Sequence, residues 1–351
     1  MKSQIQSRVS AELHTGFALR QLLCVVFIWR GMMTIVLPVC GSSAWWSALI
    51  CMLPGAAVAL LLRWVMRLTK TTTITEAARA CLGKYGAVGF SILLAALLIV
   101  ESVSTLTALL TVFTQGVGTR GTQFTLAVLT GAVLLCCLHR EGLPRAIYML
   151  RWVMLAAAAV IVLFLLVDAQ VSNLFPLHGE NQSWKFVPLH AGFSLGWPFV
   201  LTLTVPSCRK RGRLSGGFCA AAVAVGLLLV TVLTIPHEVL RANNTLSAWL
   251  LLPIRYQSNA VRLVGLCLLM LSFFLALGGA VQMASASLLA PWKKQPGWLT
   301  ALVLSGIVLT QTVDIQRLWA ILQAAEAWLL LPLAVMAVII FPIACCRRIK
   351  T

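Results

Sequence analysis

The chain has 351 residues, 60% of them hydrophobic and 10% charged, with a net charge of +18. A soluble domain carries about a quarter charged residues, so this composition points to a lipid-facing surface and leaves no room for a separate soluble domain. The positive charge, which in a soluble chain would suggest nucleic acid, sits in short loops beside apolar runs, where it sets membrane orientation instead. No nucleic-acid partner is expected.

The first 16 residues are polar, and the apolar run that follows is too long for the h-region of a cleavable signal peptide. Each helical span needs roughly 20 apolar residues, and lipid offers no partner for unpaired backbone groups, so the spans are helices. Ten are predicted, within one membrane domain. Span 1, about 17–39, reads QLLCVVFIWRGMMTIVLPVCG, with Arg30 and Gly31 near its middle and Pro38 further on. Glycine is flexible and proline removes a backbone donor, so the helix is expected to break here. Span 2 covers about 44–66. In the inner loop after it, Thr73 and Glu76 have the capping-box spacing, and ITEAARACLGKYG follows with Ala77, Ala78, Cys81 and Leu82 on one side. A short amphipathic helix ending near Gly83 and lying at the cytoplasmic surface is predicted.

Span 3, about 86–112, contains Glu101 about fifteen residues past its start, followed by Ser102, Ser104, Thr105 and Thr107. Spans 4 and 5 cover about 123–139 and 152–169. In the outer loop 170–188, Pro176 and Gly179 forbid a regular helix. Span 6, about 189–206, reads LHAGFSLGWPFVLTLTVP and is interrupted by Gly192, Gly196 and Pro198. Span 7 covers about 216–235 and is followed by an outer loop, 236–261, with interfacial Trp249 and Tyr256. Spans 8, 9 and 10 cover about 262–290, 298–313 and 318–344. Of the 27 lysines and arginines, Arg20 and Arg30 lie inside span 1. Six (Arg120, Lys185, Arg241, Arg255, Arg262 and Arg317) fall in the alternate segments away from the N-terminus, and the other 19 fall on its own side. That asymmetry predicts both termini in the cytoplasm.

Spans 1 and 6 open two five-helix halves, about 17–169 and 189–344, that enter the membrane from opposite sides. Paired Gly/Pro interruptions at matching positions predict an inverted-repeat transporter fold, with a polar ligand bound near the midplane at the two broken helices. A carboxylate inside the bilayer is costly. Glu101 therefore has three readings: a partner for a ligand ammonium, a pair with Arg30, or a proton site. Gln323 and Glu326 in span 10 are expected to make helix–helix hydrogen bonds. The 11 cysteines include no CxxC spacing, and the histidines have no metal-ligand spacing. No P-loop or HExxH pattern occurs. Neither an enzymatic activity nor a cofactor is expected.

Five stretches in order carry a family resemblance: GMMTIVLP, ITEAARACLGKYG, HREGLPRA, NLFPLHGE, and VPSCRKRGR after span 6. Together they resemble the B subunit of bacterial spore germination receptors, the endospore germination permease family of the amino acid/polyamine/organocation superfamily. The chain departs from that pattern at the start of span 8, where Val261-Arg262 stands in place of a Glu-Arg pair, and around Thr107, which lacks the family's arginine. The resemblance implies an all-α, leucine-transporter-like fold in the spore inner membrane. It also implies an amino acid or similar germinant bound between spans 1, 3, 6 and 8, and partner A and C subunits, the C subunit lipid-anchored on the outer face. Backbone amides at Gly31, Met32 and Met33 would meet the ligand carboxylate, with Arg30 and Glu101, Gly192 and Gly196 of span 6, and Ser272 of span 8 completing the site. The alternative is a secondary amino acid permease, proton-coupled through Glu101.

Overall fold

The computed structural model describes residues 18–116, 142–167, 169–175, 195–204, 213–235, 259–289 and 315–350. Among them there is no strand, and seven helices are long and apolar enough to cross a membrane. The protein is membrane-embedded and multi-pass. The seven are spans 1, 2, 3, 5, 7, 8 and 10 of the sequence reading. Predicted spans 4 and 9, and the first part of span 6 with Gly192, lie outside the described residues.

Span 1 differs from its expectation. It is helical from Ala18 and does not unwind at Gly31, whose backbone is α-helical at φ −59° and ψ −40°. Instead it widens into a π turn over Met32–Val36, in which the Leu37 amide donates to the Met32 carbonyl. Pro38 is the reason. Its missing N–H and its ring disturb the turn before it, and a wider turn relieves the conflict without opening the backbone to lipid. Span 10 repeats the device: a π turn over Met336–Ile340 precedes Pro342 by the same two residues. Gly41, at φ 53°, then reverses the chain through Gly41–Ser43 into span 2, Ala44–Leu68.

The capping box forms as its spacing predicts. The Glu76 carboxylate accepts from the Thr72 amide (2.8 Å), the Thr72 hydroxyl (2.7 Å) and the Thr73 amide (3.2 Å), while the Glu76 amide donates back to the Thr73 hydroxyl at 3.2 Å. The short helix ends at Gly83, whose φ of 75° and ψ of −171° only glycine adopts readily. Span 3 continues beyond it to Gly116. The apolar side of this helix packs on the protein. Ile74, Ala77 and Ala78 are buried in the protein core, and the Ile74 amide donates to the carbonyl of Leu203 in span 6 at 3.1 Å. An apolar stripe on so short a helix buries more area against a neighbouring segment than against lipid headgroups. Thr73→Ala or Glu76→Ala is expected to lower stability by about 1 kcal/mol. Protection of the amides in 74–82 against hydrogen exchange should fall before that of span 3; equal protection in variant and native protein would show that the cap does not hold this helix.

Spans 3 and 8 pack against each other in the centre, with span 10 also on span 3 and span 5 on spans 7 and 8. Span 5 is the most lipid-exposed of these helices, with only 17% of its apolar window buried. The Gln170 amide and the Asn173 side-chain amide each donate to the Leu233 carbonyl at 2.9 Å, tying the segment 169–175 to the end of span 7.

Candidate functional site

The segment 195–204 is where the site is assembled. Leu195 and Gly196 are helical, a turn follows at Trp197, and a short helix Pro198–Leu201 leads to a second turn at Thr202. Its amides bond three residues back, as in Val200 to Trp197 (2.8 Å) and Leu203 to Val200 (3.0 Å). Proline at position 198 removes one donor, and Gly196 before it leaves the backbone unrestrained. In its described part span 6 is thus irregular around Trp197–Pro198 with a backbone still in the helical region, and span 1 does not unwind.

Every neighbour holds this segment by a specific contact. Phe27 of span 1 stacks on Trp197, with centroids 6.0 Å apart and planes at 26°, and the Cys24 thiol donates to the Pro198 carbonyl at 3.1 Å. Gly55 of span 2 lies so close to Gly196 that a Cβ added to either residue would fall on the backbone of the other. Phe218 of span 7 lies 5.4 Å from Phe199, centroid to centroid.

The buried charges meet beside it. Arg30 of span 1, at 3% exposure, forms an ion pair with Glu101 of span 3, at 1%. Its Nη1 donates to the Glu101 carbonyl at 3.1 Å and to the Thr105 hydroxyl at 3.4 Å. The Thr105 hydroxyl in turn donates to the Glu101 carbonyl at 2.7 Å. The other Glu101 carboxylate oxygen accepts from the Trp197 indole N–H at 3.1 Å. A second carboxylate, Glu326 of span 10, lies 3.9 Å from Arg30 Nη2 and is itself buried. One guanidinium therefore faces two carboxylates, and four separate elements of the chain are tied through side chains that lipid could not solvate.

Of the three readings of Glu101, the pairing with Arg30 is the one whose contacts are formed. Glu326 was expected to bond helix to helix together with Gln323. Glu326 does reach across to other helices, at the charged pair of spans 1 and 3, while Gln323 is exposed. Trp197 was missed as a site residue. Its signal in the sequence was an aromatic donor wedged between Gly196 and Pro198, where a broken helix turns a side chain inward.

The remaining candidates fall elsewhere. Met32 and Met33 are fully buried in the core, and their amides belong to a continuous helix. Gly31 is needed for room, since a Cβ there would come within 2.7 Å of Leu195 Cδ2. Gly196 serves packing through Gly55. Ser272 lines a cavity of ≈ 260 Å³ between spans 1, 5, 7 and 8, on the side of span 1 that presents Trp29, and its hydroxyl donates to the Leu268 carbonyl at 2.7 Å. Span 3 contributes nothing to that cavity's lining. No group of three or more His, Cys, Asp or Glu able to hold a metal occurs among the described residues. A comparison with protein-family models matches no family, and a comparison with curated proteins matches none.

Proposed function

We propose that the chain is a nutrient-sensing membrane subunit with a transporter-like fold of ten spans in two inverted halves and both termini in the cytoplasm. It recognises an amino acid or a similar small solute and signals by helix movement. The observation that carries this reading is the buried cluster of Arg30, Glu101, Glu326 and Trp197, which links spans 1, 3 and 10 to the broken segment of span 6. Ionisable groups inside a membrane protein are costly and mark ligand or ion sites by default. A zwitterion suits this cluster, because its carboxylate competes with Glu101 for Arg30 while its ammonium competes with Arg30 for the two carboxylates. Exchanging an internal pair for ligand contacts releases four elements that are otherwise tied together, and the ligand then favours one helix packing over another. A tenfold preference for one packing is worth about 1.4 kcal/mol.

The resemblance to germination receptor B subunits supplies the setting: a spore inner membrane, an A subunit, and a lipid-anchored C subunit that receives the movement. Deleting the gene in a spore-forming host is expected to abolish or narrow germination with particular nutrients while general amino acid uptake stays intact. Unchanged germination with the uptake of one amino acid lost would overturn this reading in favour of a secondary amino acid permease. The surplus carboxylate favours that second reading in its proton-coupled form, since one guanidinium facing two carboxylates leaves a negative charge unbalanced.

A further inference from the structure

The cavity beside Ser272 is separate from the charged cluster and has a different chemistry. Its walls from spans 1, 5, 7 and 8 are almost wholly aliphatic or aromatic, and Gln21, Arg151 and Ser272 are the polar exceptions, with Ser272 already bonded within its own helix. The lining runs along span 1 from Ala18 to Trp29 and along span 5 from Ile147 to Ala158. At about 1.5 Å per residue this is roughly 16 Å, or half the thickness of a hydrocarbon core. Arg151 lies about 6 Å, one helical turn, in from the Ile147 end. Its guanidinium carbon sits 4.0 Å from the Tyr148 ring centroid and 5.0 Å from that of Trp152, and its Nε is buried with no hydrogen-bond partner. Among the described residues it makes no ion pair with a carboxylate. Span 5, which carries Arg151, also turns Met149, Trp152 and Val153 out to lipid, at 78%, 65% and 62% exposure.

From these features we infer a structural site for one anionic glycerophospholipid of the leaflet on the Arg151 side, with an acyl chain in the cavity and the headgroup phosphate on Arg151. The apolar walls and half-bilayer length suit the chain and exclude a free zwitterionic solute, whose two charges would find one cation and no acid there. An aromatic-braced arginine, whose long side chain can extend along the apolar wall toward the interface, is placed to take an anionic headgroup. Because span 5 borders both the bilayer and the cavity, the lipid enters sideways, without passage through the protein.

Native mass spectrometry of the full chain, released from detergent with equimolar phosphatidylglycerol and phosphatidylcholine, tests the site. Native protein is expected to carry one bound lipid with a roughly fivefold preference for the anionic one, the worth of a single well-placed cation. Ala158→Phe fills the cavity and should lower occupancy by both lipids several-fold. Arg151→Gln should retain a lipid but lose the preference. A monodisperse size-exclusion peak for each variant establishes that it is folded. Unchanged occupancy in Ala158→Phe overturns the acyl-chain site, and an undiminished anionic preference in Arg151→Gln overturns the headgroup assignment.

Discussion

Arg30→Met is expected to cost about 3–5 kcal/mol of stability, the usual consequence of stripping a buried charge of its partner. The variant leaves Glu101 and Glu326 facing each other at side-chain exposures of 1% and 7%, without the guanidinium that had faced both. Glu326→Gln should be much milder, because its contact with Arg30 is 3.9 Å long and the pair of Arg30 with Glu101 survives. Replacing all three residues by methionine should recover most of the lost stability, since an apolar trio of similar volume removes every unpaired charge at once. Thermal unfolding in detergent, followed by the fraction surviving size exclusion, measures the series. A triple variant no more stable than Arg30→Met alone would show that the three charges do not act as a unit. The same triple variant separates stability from function: folded, it should no longer respond to nutrient.

Gly55→Val and Gly196→Val are each expected to abolish recovery of folded protein. The Cβ of either valine would occupy the backbone of the opposite glycine, and backbone cannot swing aside as a flexible side chain can. Span 2 would be pushed off the broken segment, which would separate Trp197 from Glu101 and Leu203 from the Ile74 amide. Losses beyond ~4 kcal/mol come from overpacking of this kind. Gly226→Val in span 7 is the control, because nothing lies within 4 Å of a Cβ there. It should change stability by no more than about 0.5 kcal/mol. Size-exclusion profiles of fluorescent fusions distinguish the outcomes, and a monodisperse Gly196→Val protein would show that the two helices tolerate separation. Close approach through small residues is a general means of packing membrane helices. Here it explains why Gly196 looked like part of a ligand site when read from sequence alone.

The elements legible in the sequence were those whose cause is local. Apolar length set spans 2, 3, 7 and 8 to within a few residues, because transfer to lipid depends on a helix's own composition. Span 5 was placed too late, since its helix begins at Gly142; the polar letters EGLPRA hid its first turns. The Thr73–Glu76 cap and the stop at Gly83 were legible because capping is decided within four residues, and a positive φ belongs to glycine. Pro38 and Pro342 were visible as disturbances, but a proline can break a helix or widen it into a π turn, and packing around the turn chooses between them.

Sequence by itself determined a multi-pass membrane protein, because 60% hydrophobic and 10% charged residues admit little else, and it singled out Arg30 and Glu101 as charges that must be satisfied inside. Which partners satisfy them was decided by tertiary structure. Glu326 lies 225 residues from Glu101 in the chain, and Trp197 reaches Glu101 only because Gly55 and Gly196 let two backbones touch. No periodicity or propensity encodes those distances. They follow from side chains of separate helices sharing one low-dielectric interior, where an unpaired charge is costly enough to select the packing that pairs it.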